Sequence, residues 1–134
     1  MIVAPPEPIV DSRHKVVLLW SAKAGCTFAV KWMLGHMGLL QEALAHHRWV
    51  HHYRIQKLYK SAAHKAAVRD FVDEPAGYRF VKIVRNPFKR ALSSYIHASQ
   101  CGYEDVPMAT FLGRAVDAEN RYSFREFVGY LETT

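Results

Sequence analysis

The chain has 134 residues, 50% of them hydrophobic, with 18 lysines and arginines against 12 aspartates and glutamates, and 8 histidines. That length and apolar content exclude a disordered chain and are enough for one domain with a real core. The basic balance suits phosphorylated small molecules, sulfated or acidic substrates and nucleic acid alike, so charge alone does not choose among them.

In chain order, residues 1–14 read as an extended arm around Pro5-Pro6 and Pro8, and an α/β domain is expected from residue 15 to residue 134. The arm, rich in proline and charge, has the pattern of neither a leader nor a membrane span. Cys26 and Cys101 stand at no metal-ligand or disulfide spacing, so a cytoplasmic, reducing setting is expected.

Val16-Val17-Leu18-Leu19-Trp20 is an apolar run without alternation, the pattern of a strand buried on both faces. A loop of small residues, Ser21 to Thr27, follows it, and a helix is expected from Phe28 to Leu40, closed by Gly38 or interrupted at Gly35. Gln41 to His46 has helical character, while Trp49 to Ile55 reads as a short strand or an extended crossing. His46, His47, His51 and His52 crowd this stretch together with Arg48 and Arg54. Ser61 has the position of an N-cap for Ala62 to Val72, which Asp73-Glu74-Pro75 ends.

After Gly77 a second strand runs from Tyr78 to Val84. Asn86 caps and Pro87 starts the next helix, whose Phe88, Ala91, Leu92, Tyr95 and Ile96 follow helical apolar spacing. Gln100 to Arg121 is loop-rich, with a short helix around Thr110 to Val116. Ser123-Phe124-Arg125-Glu126 is a capping box opening a last helix with Phe127, Val128 and Leu131 on one face. Strands alternating with helices predict a parallel sheet with helical crossovers, with both charged loops at the C-terminal ends of strands.

Two stretches carry chemistry. At the first, strand, small-residue loop and helix in that order make an anion site. The N–H groups of the first helical turn need an acceptor, Gly25 lets backbone approach closely, and Lys23 supplies a mobile charge. The same residues would also make an ordinary βα turn with its lysine in water. At the second, Arg85 ends a strand and Ser93 follows eight residues later, on a polar stripe with Arg90 and His97. A guanidinium at a strand tip and a hydroxyl two turns into the next helix can hold one phosphate from two sides. A solvated polar helix face would look alike.

Together, Lys23-Ala24-Gly25-Cys26-Thr27 and Arg85-Asn86-Pro87-Phe88-Lys89-Arg90-Ala91-Leu92-Ser93-Ser94-Tyr95 resemble the two signatures of the sulfotransferases that use 3′-phosphoadenosine 5′-phosphosulfate (PAPS). The combination looks most like the branch that includes carbohydrate sulfotransferases, and Phe124 to Leu131 is similar to a downstream helix of that branch. The resemblance implies a three-layer, P-loop-NTPase-like parallel sheet flanked by helices. It implies that Lys23 contacts the bridging oxygen of the donor. The backbone of Ala24, Gly25, Cys26, Thr27 and Phe28, with the Thr27 hydroxyl, would cradle the 5′-phosphate, and Arg85 and Ser93 would bind the 3′-phosphate. A base, often a histidine or glutamate between the motifs, would deprotonate the hydroxyl or amine of a small-molecule or carbohydrate acceptor. His51 and His52 are the candidates, with His64 a weaker one.

The scheme requires no metal and no nucleic acid. Family members are usually longer, so the chain is expected to be the donor-binding part of the usual domain. The apolar face of its last helix (Phe124, Phe127, Val128, Leu131) points to a homo-oligomer or to a truncation.

Two other classes compete. A nucleotide kinase or NTPase shares the fold class, but the sequence has no Gly-Lys-Ser/Thr. A non-catalytic binder of nucleic acid or acidic polysaccharide would use Trp49, Tyr53 and Tyr59, interleaved with Arg48, Arg54, Lys57 and Lys60, as a stacking and charge platform.

Overall fold

The computed structural model describes residues 6–133, which form two compact units, residues 6–84 and residues 85–133. The first is an α/β unit. Its sheet has three strands among the described residues, in the order β1 (Ile9–Asp11), β2 (Val16–Trp20), β3 (Arg79–Ile83). β2 and β3 run parallel, Val16 opposite Arg79 and Trp20 opposite Ile83. β1 runs antiparallel to β2, so the sheet is mixed where an all-parallel one was expected.

The cause is local. The Asp11 carboxylate accepts the N–H groups of Arg13 and His14 at 3.0 and 3.2 Å, and Lys15 takes a left-handed φ of 54°. This reverses the chain within four residues, a link that only an antiparallel neighbour permits. Part of the stretch read as an arm is thereby a strand, while residues 1–5 lie outside the described ones.

The apolar run of β2 is buried on both faces, as its lack of alternation required. Leu18 and Trp20 join Ile9, Val30, Met33, Leu34, Val50, Tyr53 and Leu58 in the larger core, and Val17 joins Val10, Ala67 and Tyr78 in the smaller one. The larger core is supplied by α1 (Cys26–His36), α2 (Leu40–His46) and α3 (Val50–Tyr53), which runs on into a π-helical turn, Arg54–Leu58. The smaller core lies under α4 (Ala62–Asp73), where the Ser61 hydroxyl accepts the His64 N–H as the cap its sequence announced.

The expected strand or extended crossing at Trp49 to Ile55 is thus a helix. Val50, Tyr53 and Leu58 must all reach the core, and only helical spacing puts them on one face. A strand would have grouped Val50 with His52 and Arg54.

The second unit is helical: α5 (Pro87–Cys101), α6 (Asp105–Leu112) and α7 (Phe124–Glu132). The Asn86 carboxamide accepts the N–H groups of Phe88 and Lys89, and Ser123 and Glu126 close the capping box at both ends. α6 begins earlier than the short helix expected around Thr110 to Val116, with Gly102 and Gly113 in left-handed conformations at either side.

Ala98, Met108, Tyr122 and Phe127 are this unit's core, so the apolar face of α7 is partly covered within the unit itself. The apolar spacing of α5 misplaced its buried face. Tyr95 and Ala98 turn inward while Phe88 is 81% and Leu92 46% exposed. Among the described residues no helix is long and apolar enough to cross a membrane.

Candidate functional site

Because Trp20 pairs with Ile83, both parallel strands end on one edge of the sheet. At that edge the loop after β2 makes a tight turn, with the Ala24 N–H donating to the Ser21 carbonyl at 3.2 Å. Lys23 and Gly25 then take left-handed φ values of 61° and 85°. A Cβ on Gly25 would meet only Ile83 Cγ2, at an ordinary 3.8 Å, so the dihedral and not crowding asks for glycine. Lys23, with a side chain, takes the same region at a cost.

The turn delivers the chain into α1, whose first intrahelical bond is Ala29 N–H to Gly25 C=O at 3.0 Å. The N–H groups of Cys26, Thr27 and Phe28 therefore project from the helix end. No side chain caps that end and its first turn has no acidic residue. Ser61, Asn86 and Ser123 do this work at the starts of α4, α5 and α7, whereas the shorter α2, α3 and α6 share with α1 the lack of a side-chain cap. The arrangement leaves positive potential at the loop for an anion.

α3 brings one histidine against this loop. His51 is 4% exposed, its Nε2 lies 3.4 Å from Thr27 Oγ1, and its buried Nδ1 has no hydrogen-bond partner. The Trp49 ring packs edge-on at 5.2 Å. Burial, with the Arg54 guanidinium nearby, pushes the imidazole down to about 4, so it is neutral at physiological pH.

His52 turns elsewhere. Its ring is half-buried and stacks on His47 at 4.3 Å between centroids, with His46 beyond at 6.3 Å. His64 belongs to the scaffold: it is buried, its Nε2 accepts the Val10 N–H at 3.2 Å, and burial lowers its pKa. Among the described residues no group of three or more histidines, cysteines or carboxylates could hold a metal ion.

Arg85 and Ser93 lie in the second unit, Arg85 exposed just before the Asn86 cap and Ser93 half-buried two turns into α5. Arg90 and His97 are exposed on the same helix, His97 Nδ1 being 3.3 Å from the Tyr103 hydroxyl.

The aromatic set read as a stacking platform is largely occupied. Tyr53 is buried, and Tyr59 lies under the Arg54 guanidinium and against the His64 ring; Trp49 is half exposed. Arg54, in the sequence one cation of the histidine-rich stretch and of the stacking platform, stands beside His51. Its guanidinium lies over the Trp20 ring, 5.1 Å from the centroid, and it is the nearby charge on His51. No local pattern announced that placement.

The first unit is thus an α/β unit with a mixed sheet, in which the helix after β2 starts without a side-chain cap beside a buried imidazole. The sulfotransferase family model matches residues 6–134, and the chain belongs to the sulfotransferase family. No curated protein and no solved structure matches it significantly.

Proposed function

We propose that the chain transfers a sulfuryl group from PAPS to a hydroxyl or amine of an acceptor, a carbohydrate being the class its second motif resembles. The observation that carries this reading is the uncapped start of α1 behind the left-handed turn at Lys23 and Gly25, in a member of the sulfotransferase family. Bound PAPS supplies the activated sulfuryl group.

The chain's own residues supply position and charge, which is most of what such a transfer needs. Cys26, Thr27 and Phe28 offer backbone N–H groups, and Thr27 its hydroxyl, to the 5′-phosphate, with Ala24 and Gly25 shaping the turn. Lys23 neutralises charge that develops on the leaving phosphate. Arg85 and Ser93 bind the 3′-phosphate, the group that separates this donor from ATP. The acceptor's proton is assigned to a histidine between the motifs, His51 or His52; His51 is buried against Thr27 and His52 is half-exposed and stacked on His47, and His52 is the one we take as open to an acceptor. No step is assigned to a metal ion, and nucleic acid is not the proposed partner.

The test is calorimetric titration with 3′,5′-bisphosphoadenosine, AMP and ATP. The bisphosphate is expected to bind tightest, and Arg85→Ala to weaken it by roughly tenfold to a hundredfold while leaving AMP unchanged, the scale of a charge-assisted hydrogen bond. Equal affinity for all three nucleotides overturns the donor site and favours the basic binder. His52→Ala should lower turnover by roughly a hundredfold or more without weakening the bisphosphate. Turnover within a factor of two of wild type would remove His52 from the scheme.

A further inference from the structure

We propose that His51 is a positioning residue of the anion site, acting through the Thr27 hydroxyl: its Nε2 sets the direction of that O–H so that it donates to a phosphate or sulfate oxygen held at the start of α1. The inference rests on the donor-site reading above and adds to it a residue that does not itself touch the donor.

Three observations carry it. His51 is 4% exposed, whereas Thr27, the one hydrogen-bonding contact of its ring among the described residues, is exposed at the helix end. The polar edge of a buried ring is thus aimed at the residue on which an anion would sit. Its Nδ1 is buried without a partner, an arrangement that packing alone does not reward, since an apolar ring would fill the same space without that penalty. The 3.4 Å separation is at the long end of hydrogen bonding, a contact that can tighten when the hydroxyl commits to a ligand.

The chemistry follows from one proton. A threonine hydroxyl has a single hydrogen and rotates to suit its surroundings. If the ring presents Nε2 as an acceptor, the O–H turns toward His51 and away from the site. If Nε2 carries the hydrogen, it donates to Oγ1 and the threonine hydrogen is left for the ligand. Burial and Arg54 keep the ring neutral, so it carries one N–H and the choice of tautomer is real. An anion at the helix start favours the second arrangement, because the hydroxyl must then donate. The pair therefore selects a ligand that presents acceptor oxygens there.

The test is a double-mutant cycle read by titration with 3′,5′-bisphosphoadenosine, with thermal unfolding as the control for folding. An asparagine amide reaches only as far as Nδ1, whereas a glutamine amide reaches the place of Nε2. Thr27→Val and His51→Asn are each expected to weaken binding roughly tenfold. The double variant should bind no more weakly than Thr27→Val alone, and His51→Gln should recover most of the wild-type affinity. A merely structural role would make Asn and Gln equally harmful. Should His51→Asn fail to fold, His51→Phe takes its place in the cycle.

Wild-type affinity in the folded Asn or Phe variant overturns the inference. So does a loss that adds in full to that of Thr27→Val. If the wild type does not prefer the bisphosphate to AMP, the donor site itself falls. If it does and the cycle is additive, only the role of His51 falls.

Discussion

Lys23→Ala is expected to lower sulfuryl-transfer turnover by roughly 10²- to 10³-fold, the usual cost of removing one preorganised group that meets charge developing in the transition state. Binding of 3′,5′-bisphosphoadenosine should fall far less, because the helix start and Arg85 remain. The left-handed φ of 61° at Lys23 permits a sharper version of the experiment. A side chain in that region costs about 1 kcal/mol, and glycine escapes the cost. Lys23→Gly should therefore unfold at a slightly higher temperature than Lys23→Ala while losing the same roughly 10²- to 10³-fold of turnover. Stability would then differ between the two variants where catalysis does not, which a purely structural lysine cannot produce. Turnover by Lys23→Ala within tenfold of wild type would end the assignment.

The second large effect is on acid stability. His51 sits at about 4 in the folded chain against about 6.5 for an unperturbed imidazole, because burial and Arg54 both oppose its protonation. Between those two values the unfolded chain binds the extra proton and the folded chain does not, so stability rises with pH across that window. The contribution is complete above about pH 6.5 and is lost as pH falls toward about 4, up to about 3 kcal/mol for this residue.

His64 acts in the same direction, its pKa lowered by burial although Glu7 opposes the shift. Protonation there also puts a hydrogen on the nitrogen that accepts the Val10 N–H, loosening β1 from α4. Urea unfolding at pH 7.5, 6, 5 and 4.5 should show the midpoint falling in the wild type. It should fall less in His51→Gln and least in the variant that combines His51→Gln with His64→Gln. A pH slope identical in all three would show that neither ring is the acid-sensitive group.

Much of the site's framework was legible in the chain because its causes are local. Five consecutive apolar residues require a strand covered on both faces, and β2 is covered on both. Ser61, Asn86 with Pro87, and the Ser123–Glu126 box satisfy helix-end N–H groups within three residues of themselves, so all three helix starts stood where expected. The lysine loop and the arginine–serine spacing were equally plain, and the family match over residues 6–134 agrees with what they resembled.

Tertiary structure alone decided the rest. Whether Ile9–Asp11 pairs with β2, and in which direction, depends on a four-residue reversal held by one aspartate. The face of α5 that turns inward was set by Tyr122 and Phe127, more than twenty residues further on, and not by the helix's own spacing. Trp49 to Ile55 carries aromatic and basic residues compatible with either periodicity, and became helical because Val50, Tyr53 and Leu58 have to reach one core. His51 and His52 are indistinguishable as letters in a row. A helical step of about 100° separates them, putting one against Thr27 and the other against His47, and only the packing of α3 on α1 fixes which. Local chemistry was thus written in the sequence, whereas pairing across 24 residues, as between Thr27 and His51, was a matter of which surfaces could be buried together.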